Sequence, residues 1–534
     1  MFHRILKSVT VLADRQKTSV LLIGLLAFFG CWLVAYFQGI PVPQVHDEFS
    51  YLLASDTFAQ GRLTNPAHPV WTHFETMHVL QQPTYMSKYP PAQGAVMALG
   101  QVVFGHPIYG VWLGMALMCA SICWMLQAWT TPRWAFLGGL FSILHPVFGV
   151  RYYWAQSYWG GAVAALGGAL VWGGLRRILR RPNITDSLIL SAGLAVLANS
   201  RPLEGALAVL PSAGVLLFFI FSNIKTVLFK PVLKKIVVPV VIAGGITLAA
   251  MGYYNWRVTG DWRVMPYKKY DAAYLAAPIF FWEKPRPDIF LRHHDMRIYS
   301  LTKLKTIYEP LISVNQPERT WRYLRSIFFS RGGFIPNPFF IIPMLCGFFW
   351  FLRKDRWVIF AYLNLFAFCA IFSFLLVILM QLHYLAPVVV FYYFILISGF
   401  RVFDLIEMPS LRKTVKAFII IAAITMFSMP SPQPYPLFRW ASVRAEFIQE
   451  MKKTGQKHLV FVRYGDMHSP DDEWVYNDAE IDHAPVVWAR DMDKAQNRKA
   501  VDYFKDRKVW RLIAGTKRFD EDRPVFMPID RSQI

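Results

Sequence analysis

The chain has 534 residues, 55% hydrophobic and 16% aromatic, with 56 Lys and Arg against 34 Asp and Glu. That apolar fraction exceeds the roughly 45–50% of soluble domains, and it arrives in runs near the ~20 residues that cross a bilayer, which excludes a soluble protein and gives a polytopic membrane protein. The formal charge of +22 does not point to nucleic acid, because the basic clusters fill short gaps between apolar runs, as cytoplasmic loops do.

In chain order, the first apolar run, about 18–37, has no small-residue cleavage site and predicts an uncleaved anchor with the N-terminus cytoplasmic. An outer loop over 38–107 follows, whose apolar part, 92–104, is short for a span and predicts an interfacial segment. Further spans are expected near 108–129, 134–150, 158–175, 187–200, 205–222, 236–254, 335–352, 357–380, 384–400 and 417–429, about eleven in all. The gaps that hold Arg176, Arg177, Arg180 and Arg181, then Lys225 to Lys235, then Arg353, Lys354 and Arg356, then Arg412 to Lys416, set the orientation. A second long outer loop spans 255–334. The expected architecture is an all-α transmembrane bundle over 1–429, followed by a small extracytoplasmic α/β domain over 430–534. In that domain, strands are predicted at His458–Tyr464, Ala484–Arg490 and Lys508–Ile513, with a helix over 494–505. The cysteines (Cys31, Cys119, Cys123, Cys346, Cys369) all lie in apolar runs, which leaves no disulfide outside the membrane and no metal-type spacing.

The ionisable residues outside the basic gaps gather on one predicted face. His46-Asp47-Glu48-Phe49-Ser50-Tyr51 opens the first outer loop, and Lys88-Tyr89-Pro90-Pro91 closes its polar part. Adjacent carboxylates on a helix point about 100° apart, so Asp47 and Glu48 are expected to do different work, with Tyr51 one turn from Asp47. Asp47 as a helix N-cap is the ordinary alternative. The prolines after Lys88 fix an extended turn from which an ammonium can meet a phosphate; a snorkelling lysine is the alternative. Arg151, Tyr152 and Gln156 lie in an aromatic stretch suited to sugar stacking or to an interfacial belt. Arg201 and Glu204 face a ligand or each other, Arg331 precedes two glycines that open backbone N–H groups to an anion, and His383-Tyr384 joins two late spans.

These pieces together resemble the GT-C superfamily of integral-membrane glycosyltransferases, especially protein mannosyltransferases and aminoarabinose transferases. The likeness is carried by His46 to Tyr51, Lys88 to Pro91 and His383 to Pro387, covers about 40–430 in layout, and does not extend to the C-terminal domain. It implies an inverting transfer from a polyprenyl-phosphate sugar to a lipid, glycan or protein acceptor outside the bacterial inner membrane. Asp47 would be the general base with Glu48 beside it; Lys88, Arg331, His383 and Arg201 would hold the donor phosphate; Tyr51, Tyr89, Arg151, Tyr152, Gln156, Glu204 and Tyr384 would line the sugar and acceptor sites. The stretch Arg151 to Gly161 carries no carboxylate where many relatives have a second acid. That departure bears on metal use: no metal ligands and no cofactor are assigned, and a divalent ion is left open. A lipid-linked oligosaccharide ligase or polymerase, a transporter or flippase, and a non-catalytic envelope scaffold are the alternatives. The nearly charge-free span interiors weigh against transport.

Overall fold

A computed structural model describes residues 10–329, 335, 340–376, 381–405, 409–428, 439–515 and 524–534. The chain forms two compact units, one from 1–41, 108–250 and 311–434, the other from 42–107, 251–310 and 435–534.

The first unit is helical. It contains α1 (Gln16–Gln38), and the second unit begins with α2 (His46–Ala59), the short strands β1 (Asn65–Pro66), β2 (Val79–Leu80) and β3 (Thr84–Ser87), and α3 (Pro91–Phe104). The helical unit resumes with α4 (Ile108–Trp129), α5 (Pro132–Leu144), α6 (Ala162–Arg180), α7 (Ile184–Ala198) and α8 (Pro202–Ser222). A single helix of 31 residues, α9 (Phe229–Thr259), follows. Among the described residues seven helices are long and apolar enough to cross a membrane, and shorter apolar helices include α3 and α7. Small residues let α6 and α7 approach: a Cβ on Gly193 would stand 2.7 Å from the Gly167 carbonyl oxygen.

Several spans differ in their bounds from the sequence expectation, as where Pro409–Ser428 begins before 417 and Ala162–Arg180 runs past 175; two differ for a clear local reason. The span expected over 134–150 stops at Leu144, because Pro146 disfavours helix for the residue before it; the His145 ring then turns the chain, its Nδ1 accepting from Val147 N (3.2 Å) and Phe148 N (3.0 Å). The span expected over 236–254 is longer at both ends. A π-turn at Leu233–Val237 joins it to the preceding basic segment, and polar residues carry it on to Thr259, whose Oγ1 donates to Asn255 O at 2.8 Å. Hydropathy cannot see such polar ends.

The second unit continues with α10 (Pro266–Tyr274) and α11 (His294–Lys303). The helical unit adds α12 (Gln316–Phe329), α13 (Ile341–Phe351), α14 (Arg356–Leu375), a 3-10 segment at Leu382–Val388, α15 (Val389–Leu405) and α16 (Pro409–Ser428). The C-terminal part of the second unit holds α17 (Arg439–Lys453), β4 (His458–Tyr464), β5 (Val486–Arg490), α18 (Lys494–Tyr503), β6 (Lys508–Ala514) and β7 (Val525–Pro528). The strand order is β5-β4-β6-β7, with β4 parallel to both neighbours and β7 antiparallel to β6. The β-branched and aromatic runs thus form the strands that the sequence predicts, within two residues.

That sheet shares its core with the 38–107 loop. Phe49, Leu53, Phe74, Val79 and Tyr85 pack into the cluster that contains Val460, Trp474 and Trp488. The Phe49 ring stacks on Tyr476 at 4.3 Å and 2°, and Asp56 accepts from Ala479 N at 2.7 Å. The loop and the C-terminal sheet are therefore one folding unit rather than a loop with an appended domain.

Candidate active site

The site in the second unit is built on the first turn of α2. Val45 is extended and precedes the helix; the Glu48 carboxylate reaches back to accept from Gln44 N (2.7 Å) and Val45 N (3.2 Å). Glu48 thus satisfies helix-start donors, the return half of a capping box, and is 4% exposed. Asp47, one position earlier, is turned elsewhere and keeps 28% of its side chain exposed. The two carboxylates thus differ: Glu48 is buried against its own helix start and Asp47 is partly exposed.

Asp47 meets the hairpin formed by β2 and β3. Its Oδ1 accepts from the Tyr89 hydroxyl, and its Oδ2 lies 3.6 Å from His78 Nδ1. His78 holds φ +63°, an uncommon backbone state for a residue with a Cβ. Its carbonyl is fixed by Ser50 Oγ at 2.6 Å and by Lys88 N at 3.2 Å. The donors set the ring's tautomer. Tyr89 gives its single proton to Asp47, so His78 Nδ1–H donates to the Tyr89 oxygen at 3.1 Å, and Nε2 is left to accept from the Tyr299 hydroxyl at 3.4 Å. Burial holds the His78 imidazole neutral, well below its ordinary range, and Lys88, His46 and Lys303 reinforce this. The neighbouring His46 accepts or donates at Nδ1 to Tyr476 OH at 2.8 Å, and burial lowers its pKa against the pull of Asp471, Glu473 and Asp47.

Lys88 lies within an aromatic cage. Its Nζ is 4.6 Å from the Tyr270 ring centre, 5.0 Å from Tyr267 and 5.2 Å from Tyr89. Pro266 at the start of α10 and the i,i+3 spacing of Tyr267 and Tyr270 bring the two rings to one face. Tyr51 stacks on Tyr89 from another side, at 4.4 Å and 17°. Lys88 is 4% exposed, and no hydrogen bond or ion pair engages its ammonium among the described residues. Burial lowers its pKa, and Asp271 and Asp47 pull it back up. Ring faces attract a buried ammonium but do not accept its hydrogen bonds. Tyr89 touches both groups: the hydroxyl binds the acid and the ring face carries the cation.

Asp271 borders the cage. Both its carboxylate oxygens are buried without a hydrogen bond, and burial pushes its pKa up to about 6 although Lys88 and Lys268 oppose this. Deeper in the unit, Glu473 binds Arg490 and the Tyr464 hydroxyl, and Arg490 Nε donates to the Glu75 carbonyl at 2.7 Å. Among the described residues no three His, Cys, Asp or Glu side chains converge to hold a metal ion.

The remaining sequence candidates lie in the helical unit. Arg201 pairs with Glu204 at 3.5 Å, both largely buried, and its guanidinium sits 5.3 Å from the Tyr384 ring. His383 Nδ1 meets the Tyr153 hydroxyl at 2.7 Å. Gln156 donates to the carbonyls of Cys31 and Val150, each at 3.1 Å, and so pins its loop to α1. Arg151 and Tyr152 lie half-buried in the same loop. Arg331 lies outside the described residues. The sequence reading missed His78, Tyr270, Asp271 and Tyr299. Only the tyrosines of α10 carried a signal, in their spacing behind a proline.

No protein-family model matches the sequence, and no curated protein does. Among solved structures, ArnT from Cupriavidus metallidurans in the apo state is similar, with TM-score 0.52 and 12% identity over 95% of this chain and 98% of that one. The same protein bound to undecaprenyl phosphate gives TM-score 0.51 and 12% identity over 93% and 96%. The apo oligosaccharyltransferase of Archaeoglobus fulgidus gives TM-score 0.48 and 10% identity over 93% of this chain and 69% of that one. The fold of this multi-pass membrane protein is that of the ArnT structures.

Proposed function

We propose that the protein is an inverting glycosyltransferase that moves a sugar from a polyprenyl-phosphate donor to an acceptor hydroxyl outside the cytoplasmic membrane, with Asp47 as general base and Lys88 as the phosphate cation. The observation that carries this reading is the Tyr89 bridge, which holds a half-open carboxylate and a buried, acceptor-less ammonium on one side chain. The ArnT structure bound to undecaprenyl phosphate, on the same fold, supports a lipid phosphate as the anion.

In the reaction the acceptor oxygen attacks the anomeric carbon, its proton passes to Asp47, and the bond from that carbon to the phosphate oxygen breaks with its electron pair. Polyprenyl phosphate leaves with a second negative charge next to Lys88, whose ammonium pairs with the donor phosphodiester on binding and more strongly with the departing monoester. A single displacement inverts the anomeric configuration. Tyr89 and His78 fix the carboxylate, so its free lone pair is presented without a search over rotamers. General-base assistance of this kind contributes about 10²–10⁴-fold. No step is routed through a metal, and the Arg201–Glu204 pair is not used.

The test is transfer or release of labelled sugar from a panel of polyprenyl-phosphate sugars by purified protein in lipid, for wild type and Asp47→Asn. Loss of turnover with donor binding retained supports the reading; equal turnover in the two proteins overturns it.

A further inference from the structure

A second polar cluster lies in the helical unit, where α4 and α6 end and α14 begins. Arg177 there is fully engaged: it donates to Gly173 O (3.0 Å) and Trp124 O (2.8 Å) and lies over the Trp124 ring at 3.8 Å. Arg176 differs. Its guanidinium lies 4.9 Å from the Trp129 ring and 5.4 Å from the Trp357 ring. Its Nε is buried with no acceptor, and its terminal nitrogens bond to no described residue. Trp129, 8% exposed, stacks on Trp172 at 4.3 Å, and its buried indole N–H also lacks an acceptor. Arg180, Arg356 and Asp355 stand close enough to act on Arg176 electrostatically. Asp355 is already committed, capping α14 by accepting from Trp357 N at 2.9 Å. Arg180 and Arg356 are exposed.

Among the described residues the corner therefore holds donors and four arginines against two carboxylates, Asp355, already engaged, and Asp186, which acts on Arg177. In a membrane there is little water to satisfy such groups, and what is missing is a ligand made of acceptors and negative charge. Stacked indoles mark the level of lipid headgroups, and basic pockets between helices at that level bind anionic heads. We propose that this corner binds the phosphodiester head of an anionic phospholipid, with Arg176, beside the Trp129 and Trp357 rings, as the inner contact and Arg180 and Arg356 as the outer charges. A guanidinium suits this because it can stack on rings through its faces while its edge forks onto phosphate oxygens. The site is separate from the Lys88 cage and does not depend on the proposed transfer reaction.

The test uses the full-length protein in detergent, with phosphatidylglycerol, phosphatidylcholine, undecaprenyl phosphate and inorganic phosphate as probes, read by native mass spectrometry and tryptophan fluorescence. Wild type is expected to retain phosphatidylglycerol over phosphatidylcholine. Each charge removed should weaken retention on the order of fivefold, in Arg176→Gln and, where folding is not at issue, in the exposed pair Arg180→Gln/Arg356→Gln. The control Arg322→Gln, an exposed arginine paired with Glu318 in the same unit, should change nothing. Equal retention in the double variant and wild type overturns the proposal. So does displacement of the lipid by inorganic phosphate alone, which would make this a free-anion site, or a preference for undecaprenyl phosphate that the same variants abolish.

Discussion

The Tyr89 hydroxyl donates to the Asp47 carboxylate, and the arrangement gives the phenol a role separable from its ring. Tyr89→Phe keeps the face that carries Lys88 and the stack on Tyr51, and removes only the donor. A hydrogen bond to a charged acceptor is worth about 1.5–3 kcal/mol. We expect turnover to fall by roughly tenfold or more with the donor KM unchanged. A raised KM with unchanged turnover would instead assign the hydroxyl to binding.

Lys88 is a buried charge with no hydrogen bond or ion pair to an acid among the described residues, so the free protein carries its desolvation. Lys88→Met is expected to raise thermal stability while abolishing turnover, because replacing buried charge by an apolar side chain of similar length is often stabilising by about 1–4 kcal/mol. Thermal unfolding of the two proteins without donor decides it. A destabilised variant would mean that the ammonium is already satisfied, against the proposed phosphate role.

Asp271 supplies a pH signature. Its pKa is raised from 3.8 to about 6 in the folded chain. A raised carboxylate makes the folded state bind more protons than the unfolded one between these values, so it costs stability progressively as pH rises from about 4 to 6. Asp271→Asn should therefore stabilise by about 3 kcal/mol at pH 7.5 and make little difference at pH 4. Denaturant unfolding at both pH values checks it; an equal effect at both would point to lost packing rather than titration.

Glu473 and Arg490 are 1% and 3% exposed at their side chains. Removing one partner leaves a buried charge uncompensated, which costs about 3–5 kcal/mol. Glu473→Gln should open the second unit to protease within the first outer loop, because Arg490 also holds the Glu75 carbonyl there. The double variant Glu473→Gln/Arg490→Met should recover much of the loss. If the double variant is no better than the single one, the pair is not the source.

Much of this was legible in the sequence. Apolar run length is a local property, and it located the long helices; alternation and β-branching located β4, β5 and β6. The short motif His46 to Tyr51 and the Lys88 turn stood out because ionisable residues are sparse there. What failed was equally local in cause. Hydropathy extended a span through His145-Pro146, where the backbone cannot follow, and cut α9 short at polar residues that continue it.

The sequence by itself determined that this is a multi-pass membrane protein with an acid, a lysine and aromatic side chains set in the polar stretch after its first apolar run, since composition and spacing carry that information residue by residue. Only the tertiary structure decided which acid is open. Asp47 and Glu48 are adjacent and chemically alike, yet one caps its own helix and the other meets Tyr89 and His78. It likewise decided that Lys88 is caged by tyrosines from α10, in another loop, and that the C-terminal sheet closes the core beneath α2. These are contacts between segments far apart in the chain. They depend on packing and on which donors remain unsatisfied once the chain has folded, and no local pattern encodes either.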